Sequence, residues 1–111
     1  MQKNRRILVI DDHRAIHADV RKLLTGGPAS EASQFDEALF GDIEPKIESS
    51  DIDSAYQGKE GAMMVGRERA AGRPYALAIV DMRMPPGWDG LQTIEKIWEV
   101  DKDIQIVICS A

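Results

Sequence analysis

Two short runs of aliphatic residues in this chain each end at acidic residues, and neither run contains a polar position. The first run, Ile7–Ile10, is followed by Asp11 and Asp12, and the second, at 77–80, is followed by Asp81. Uninterrupted runs of this kind are typical of strands buried on both faces, as in a parallel sheet covered by helices. Because ligands bind beyond the carboxyl ends of such strands, we expect the three carboxylates to meet at one edge of the sheet.

Three carboxylates held close together repel one another, and a shared proton or a bound cation relieves the repulsion. Oxygen ligands suit hard divalent ions, which predicts Mg²⁺ or Mn²⁺ beside Asp11, Asp12 and Asp81. A carboxylate in such a place can attack phosphorus and form an acyl phosphate, while the ion screens the negative charges that meet there. A further apolar run leads into Ser110, so a hydroxyl is expected at the same edge.

The length and composition of the chain indicate how many domains it forms and exclude several classes of protein. With 111 residues, 43% of them hydrophobic, the chain is expected to form one domain with a substantial core. The formal net charge of −5 argues against direct nucleic-acid binding, which needs clustered Lys and Arg. No apolar run approaches the ~20 residues that span a bilayer, so we expect a cytoplasmic protein without membrane contact. Cys109, the single cysteine, is expected to be a buried core thiol in a reducing compartment.

Hydrophobic periodicity and turn residues predict alternating strands and helices. Their order predicts an α/β fold of three layers, a doubly wound parallel sheet with helices on both faces. The expected strands are 6–10, a weakly marked one within 46–56, 75–80 and 104–108, and the expected helices are 14–24, 59–71 and 90–100, the last capped by Asp89. The residues expected to face inward are Ile16, Val20, Leu23 and Leu24 in the first helix, Ala62, Met64 and Val65 in the second, and Leu91, Ile94, Ile97 and Trp98 in the third.

Residues 26–50 interrupt this alternation. They contain Pro28, Gly41 and Pro45, and between 31 and 53 the chain has eight acidic residues against one basic residue, Lys46. A structureless loop of that length is uncommon inside a compact domain. We therefore expect an acidic insertion that has local order of its own or is only partly ordered.

Two histidines stand four residues apart where the first helix begins. The spacing of His13 and His17 can chelate zinc, but no third ligand follows nearby, so a solvated helix edge is the expected place for both. His13 directly follows the acid pair and could also influence the mouth of the acidic site. Trp88, in the loop before the third helix, is either a lid or partner contact or a packing residue.

Three stretches of the chain together resemble the receiver domains of two-component response regulators. They are I-L-V-I-D-D at 7–12, A-I-V-D-M-R-M-P-P-G-W-D-G at 78–90 and V-I-C-S-A at 107–111. The resemblance extends over nearly the whole chain apart from the insertion. It implies a flavodoxin-like receiver fold for residues 1–111.

The resemblance also implies a role for each residue at the predicted site. Asp81 would be the phosphoacceptor, with Asp12 and Asp81 as direct Mg²⁺ ligands and Asp11 holding the ion through water. The backbone carbonyl of Arg83 would be a further metal ligand, and Ser110 would be the switch hydroxyl that turns toward the phosphoryl group.

The function implied is that of a bacterial signalling module rather than an enzyme. A sensor histidine kinase or a phosphotransfer protein would supply the phosphoryl group, and the modified domain would regulate an output domain of the parent chain or a partner protein. Any self-phosphorylation or dephosphorylation would be autocatalytic.

The chain departs from the receiver pattern in three places, the first of which is the insertion at 26–50, which is longer than receivers normally have. Pro86, Gly87 and Trp88 lengthen the loop after Asp81, and the sequence stops before the fifth strand, which carries a lysine in receivers, and before the fifth helix. We therefore expect a truncated receiver that is phosphorylated slowly or not at all. An uncovered sheet edge favours self-association, in which copies could exchange elements.

Two alternative functions use the same residues differently. A pseudo-receiver would keep the fold as a protein interaction or dimerisation module without phosphorylation. A phosphohydrolase of the haloacid dehalogenase type also uses a strand-end aspartate as its nucleophile. That class requires an acid two residues after the nucleophile, and Arg83 stands there in this chain.

Overall fold

Strands and helices alternate along the part of the chain that the computed structural model describes, which is residues 4–25, 47–83 and 87–109. The predicted order of elements is confirmed within these ranges, and most of the predicted insertion and Ser110 lie outside them. The elements are β1 (Ile7–Ile10), α1 (Arg14–Thr25), a short 3₁₀ helix (Ser49–Asp51), β2 (Ile52–Ala55), α2 (Gly58–Ala70), β3 (Leu77–Asp81), α3 (Gly90–Val100) and β4 (Gln105–Cys109).

The four described strands form one parallel sheet in the order β2-β1-β3-β4. The two apolar runs that end in acids, β1 and β3, are neighbours at its centre. Each parallel connection needs a crossover, and helices supply these crossovers on both faces of the sheet. The doubly wound α/β sheet predicted from the order of elements is thereby confirmed.

Two apolar cores lie on opposite faces of the sheet, as the prediction of three layers requires. On one face α2 and α3 cover Leu8, Ile10 and Val80, which are fully buried. On the other face α1 packs against Ile7 and Val9. Of the helix residues expected to face inward, Ala62, Val65, Ile94 and Ile97 are buried, and Ile16, Val20, Leu24 and Met64 are partly buried.

The amino end of α3 has the cap that the sequence predicts. The side chain of Asp89 accepts a hydrogen bond of 2.8 Å from the amide of Gln92, which satisfies one of the free donors of the first turn. This cap fixes the position at which the chain re-enters the helical layer after the loop that follows β3.

Three residues expected to face inward are largely exposed. Leu23 is 81% exposed, Leu91 60% and Trp98 46%, so the prediction was wrong for them. Each stands at the margin of the apolar stripe of its helix, and a helix contacts a sheet along a band narrower than that stripe. Trp98 nevertheless donates from Nε1 to the carbonyl of Ile104 at 3.1 Å, which ties α3 to the segment before β4.

Cys109 is exposed, so the expectation of a buried core thiol was also wrong. Within the described residues, β4 lies at the edge of the sheet and pairs on one side only, with β3. Val107 and Ile108, which point to opposite faces, are 47% and 50% exposed. An apolar run thus predicted the strand correctly but did not predict how far the tertiary structure covers it.

The described helices are short relative to a lipid bilayer. Within residues 4–25, 47–83 and 87–109, no helix has both the length and the apolar content needed to cross a membrane.

Candidate functional site

The register of the sheet places the two acidic strand ends side by side. Ile10 of β1 pairs with Val80 of β3, and each is followed directly by a buried aspartate, Asp11 and Asp81. Together with Asp12 and His13, these residues offer four ligand atoms that all lie within 4.8 Å of one another. The structure therefore brings together the three carboxylates that the sequence predicted and adds the imidazole of His13 to them.

Asp11 is held at its backbone and at its side chain. Its amide donates to the carbonyl of Ala55 at the end of β2 at 3.0 Å, and its carbonyl contacts Nε2 of His17 at 2.7 Å. Its carboxylate Oδ1 accepts from the backbone amide of His13 at 2.8 Å and lies 3.0 Å from Nδ1 of the same residue. Asp11 thus anchors the loop between β1 and α1 through its backbone and its side chain.

One carboxylate oxygen of Asp12 is buried without a hydrogen bond from the residues that the structure describes. This atom, Oδ1, lies 2.9 Å from Nδ1 of His13, but that nitrogen makes its hydrogen bond to Asp11. Leaving a buried polar atom without a partner costs about 1–3 kcal/mol, and more for a charged group. A buried, charged oxygen in this situation is suited to binding a cation.

The negative charge of the cluster acts on His13, whose side chain is 70% exposed. The pKa of its imidazole is raised, first by the hydrogen bond to Asp11, then by the charge of Asp12, with a smaller contribution from Asp81. An imidazolium in this place offsets part of the repulsion among the carboxylates. The same negative charge therefore favours both protonation of His13 and binding of a divalent cation.

The cluster fits a hard divalent cation by its chemistry as well as by its geometry. Its carboxylate oxygens are the ligands preferred by Mg²⁺, Mn²⁺ and Ca²⁺, and the Oδ1 atom of Asp12, which makes no hydrogen bond to the described residues, gives such an ion a buried ligand. The imidazole of His13 extends the donor set toward transition metals, for which nitrogen ligands are suitable.

Asp81 ends β3, and glycine allows α3 to begin directly beside it. The amide of Gly90 donates to the carbonyl of Met82 at 3.1 Å. A Cβ at Gly90 would lie 2.7 Å from the Cα of Met82 and 2.9 Å from the carbonyl oxygen of Asp81, distances that no ordinary side chain permits. The carboxylate of Asp81 also accepts from the amide of Arg83 at 3.3 Å, so the loop folds back onto the acid.

His17 is buried, so the expectation of a solvated helix edge was wrong for it. Its Nδ1 lies 2.9 Å from the hydroxyl of Ser54, its Nε2 contacts the carbonyl of Asp11, and its ring lies 4.6 Å from that of Tyr56. Both nitrogens are therefore engaged, and neither is left for a metal shared with His13. Its spacing from Val20 places His17 on the inward stripe of α1, which is the sequence signal that could have indicated its burial.

The roles predicted for Ser110, Arg83 and Asp81 stay predictions. Ser110 lies outside the described residues. Arg83 is exposed and close to Asp81 through its amide, while the metal-ligand role of its carbonyl is untested. The phosphoacceptor role of Asp81 is likewise a matter of chemistry that geometry alone does not test.

No family model and no curated protein sequence matches this chain, but solved structures do. The structure of a two-component transcriptional regulator AraC from Clostridium phytofermentans ISDg is 20% identical, with a TM-score of 0.58 over 96% of this chain and 66% of the other. A chain of the CheX-CheY-BeF3-Mg²⁺ complex from Borrelia burgdorferi is 19% identical, with a TM-score of 0.53 over 96% of this chain and 61% of the other.

The anti-anti-sigma factor PhyR from Bartonella quintana is 16% identical, with a TM-score of 0.53 over 93% of this chain and 31% of the other. This chain thus spans less than two thirds of each of these three matched chains. At such identities the likeness concerns the fold and not the roles of residues. Together with the parallel sheet in the order β2-β1-β3-β4, it confirms the predicted architecture: this chain has the flavodoxin-like fold of the receiver domains of two-component response regulators.

Proposed function

We propose that this chain is a phosphoacceptor receiver module of a two-component signalling protein. Asp81 accepts a phosphoryl group in a reaction that depends on Mg²⁺ or Mn²⁺, and the modification regulates an output domain or a partner. The observation that carries the proposal is the convergence of Asp11, Asp12 and Asp81 at the carboxyl edge of the sheet, with an oxygen of Asp12 that makes no hydrogen bond to the described residues. The receiver fold supports it independently.

The proposed transfer is a displacement at phosphorus. A carboxylate oxygen of Asp81 forms a bond to phosphorus while the bond between phosphorus and the imidazole nitrogen of a partner's phosphohistidine breaks. The leaving nitrogen keeps the bonding electron pair, and the partner's histidine returns to its neutral form after proton exchange with water. A small acyl phosphate can replace the phosphohistidine, in which case its carboxylate is the leaving group.

In this proposal the acidic residues hold the ion in two ways, directly or through water. Asp12 and Asp81 are the direct ligands of the ion, together with the carbonyl of Arg83. Asp11 holds the ion through water, because its Oδ1 already contacts two nitrogens of His13. Mg²⁺, when bound, supplies the positive charge that screens the attacking carboxylate from the phosphoryl oxygens.

The proposal places the chain among signalling proteins and not among enzymes that act on a separate substrate. The phosphoryl donor is a sensor histidine kinase or a phosphotransfer protein of the bacterial cytoplasm, and Ser110 is the hydroxyl that responds to the phosphoryl group. One matched structure is a transcriptional regulator and another contains CheX with CheY, which supports an output domain or a partner here. Self-association stays a prediction that a mass measurement over a series of concentrations can check.

The test is phosphorylation of the full-length protein by acetyl phosphate and Mg²⁺, followed by mass spectrometry of the intact protein and of its peptides. We expect the label on Asp81, no label in the presence of EDTA and no label in Asp81→Asn. Asp89→Asn is the matched control: it removes another acid near the site but keeps a residue that caps α3 well. This variant should be labelled like the wild type.

Label that persists in Asp81→Asn, or that appears without a divalent ion at the same rate, would overturn the assignment of the site. A full-length wild-type protein that binds Mg²⁺ but takes no label from acetyl phosphate would instead leave the pseudo-receiver as the function of the chain.

A further inference from the structure

We propose that His17 is a positioning residue for the cation site, because its Nε2 holds the peptide group that joins Asp11 to Asp12 in the orientation the site requires. The inference rests on the proposed function, since it explains how the acidic cluster is built. It assigns a role to a side chain that the proposed phosphoryl transfer does not use.

The burial of His17 needs an explanation. Among the described residues of α1, His17 is the buried one. It lies on the same face of the helix as Val20 and Leu24, which pack against the sheet. An imidazole in such a place loses hydration that an aliphatic side chain would not lose, and the loss is offset only if its nitrogens make hydrogen bonds. Both of them do, so this position makes use of the nitrogens and not only of the volume of the side chain.

The partners determine which nitrogen carries the proton. A backbone carbonyl can only accept, so Nε2 donates to the carbonyl of Asp11 at 2.7 Å. In the neutral ring Nδ1 is then an acceptor, and the hydroxyl of Ser54 donates to it at 2.9 Å. The ring orientation is fixed further by Tyr56, whose ring centroid lies 4.6 Å away.

The hydrogen bond from His17 acts on Asp12 through the planarity of the peptide. The carbonyl of Asp11 and the amide and Cα of Asp12 belong to one rigid plane. The amide of Asp11, which belongs to the preceding peptide, donates a hydrogen bond to the carbonyl of Ala55 on β2. With both peptides anchored, the Cα from which the Asp12 side chain extends is held in place, and that side chain has the buried oxygen that makes no hydrogen bond to the described residues.

His17 thereby connects three elements at the site. It belongs to α1, its Nδ1 contacts β2 at Ser54, and its Nε2 contacts the residue that follows β1. Without the bond to the carbonyl of Asp11, this peptide could rotate, and the acids would have to be ordered when the ion binds. We therefore expect a loss of cation affinity larger than the loss of stability would suggest.

Two variants separate the two hydrogen bonds of His17. The side-chain nitrogen of Gln reaches the place of Nε2, so His17→Gln can keep the bond to Asp11 while losing the one to Ser54. The amide of Asn reaches only the place of Nδ1, so His17→Asn keeps the bond to Ser54 while losing the one to Asp11. Ser54→Ala removes the other partner and leaves the bond to Asp11 in place.

Mg²⁺ affinity, measured by calorimetry on the intact protein, and urea unfolding of the metal-free protein are the first two readouts. Loss of an outer hydrogen bond at a metal site typically lowers affinity by about 10–100-fold. We expect a loss of this size in His17→Asn and an affinity near that of the wild type in His17→Gln and Ser54→Ala. Equal affinities in the Asn and Gln variants, or affinities that simply follow the stability of each variant, would overturn the inference.

A third readout does not involve the ion. The ¹⁵N chemical shift of the Asp12 amide responds to hydrogen bonding at the preceding carbonyl, so in metal-free protein it should move in His17→Asn and stay near the wild-type value in His17→Gln. If the wild type bound no Mg²⁺, the proposed function would fail. The chemical shift of the Asp12 amide would still test the positioning role of His17, because it is measured without the ion. An unchanged shift in both variants would refute the positioning role whatever the ion does.

Discussion

We expect the charge of Asp12 to determine how the protein responds to divalent cations. A ligand that binds only the folded state stabilises it by an amount that grows with concentration, about 2.7 kcal/mol at one hundred times Kd. We expect Mg²⁺ to raise the unfolding temperature of the wild type and to have little effect on Asp12→Asn, whose amide oxygen carries no formal charge. Thermal unfolding followed by circular dichroism, with and without Mg²⁺, measures both responses.

Asp89→Asn controls for the loss of one acid in the same region of the chain. Its response to Mg²⁺ should equal that of the wild type, because Asp89 caps α3 and is not part of the cluster. A full response in Asp12→Asn would show that the ion binds elsewhere.

Glu68 makes stability depend on pH at the opposite end of the sheet. Its Oε1 accepts from Nη2 of Arg6 at 2.8 Å and lies 3.5 Å from Nη2 of Arg73. The hydrogen bond to Arg6 lowers the pKa of Glu68 below its usual 4.5, although burial opposes the shift. A carboxylate with a lowered pKa adds stability above its unfolded pKa, and this contribution is lost as the pH falls through the folded value.

The variant Glu68→Gln should therefore be less stable than the wild type at neutral pH, and the difference should shrink as the pH falls below about 4.5. Urea unfolding midpoints measured between neutral and acidic pH give both curves. Glu99→Gln, which removes an exposed acid from α3, is the control for charge alone. A difference between wild type and Glu68→Gln that does not depend on pH would contradict the role assigned to the ion pair.

Two glycines of α2 illustrate how closely this helix approaches α3. A Cβ at Gly58 would overlap the hydroxyl of Thr93 and lie 3.3 Å from Cβ of Trp88, whereas a Cβ at Gly66 would lie 3.6 Å from Val100, an ordinary contact. We expect Gly58→Ala to destabilise the protein by about 1–3 kcal/mol through overpacking. Gly66→Ala should stabilise it by up to about 1 kcal/mol, because alanine favours a helix interior over glycine.

Chemical unfolding of the two glycine variants tests the helix pair without touching the acidic cluster. The opposite signs are the diagnostic result, because a methyl group overlaps Thr93 at Gly58, the first residue of α2, but makes only an ordinary contact with Val100 at Gly66, in the helix interior. Destabilisation of similar size at both positions would mean that α2 and α3 do not approach each other as described.

The whole sheet should show a gradient of stability from its centre to its edges. β1 and β3 each pair on both sides, whereas β2 and β4 each have one partner strand among those described. β4 also exposes Val107 and Ile108 to solvent. Amide protons that exchange only on global unfolding should therefore belong to β1 and β3.

Native-state hydrogen exchange followed by NMR gives this ranking residue by residue. We expect the amides of Val9 and Ile79 to exchange more slowly than those of Val107 and Ile108. Equal protection of β4 and β1 in the intact protein would show that something outside the described residues covers the edge strand.

Local patterns of the chain were sufficient for the order of elements, the parallel sheet and the convergence of the acids. Uninterrupted apolar runs identify β1 and β3, and an acid directly after each must lie at the same edge once the strands pair in parallel. Helical periodicity likewise predicted the burial of Val65 and Ile97. Both patterns depend only on the spacing of neighbouring residues along the chain.

Contacts between distant segments settled what those patterns left open. The spacing of His17 from Val20 indicates that it faces inward, but its partner Ser54 lies beyond the predicted insertion, on the strand with the weakest sequence signal, so that hydrogen bond could not be derived from spacing. Cys109 lies in an apolar run, yet it is exposed because β4 is at the edge of the described sheet. Burial and hydrogen bonding depend on which elements pack over a residue, and only the folded arrangement of the whole chain decides that.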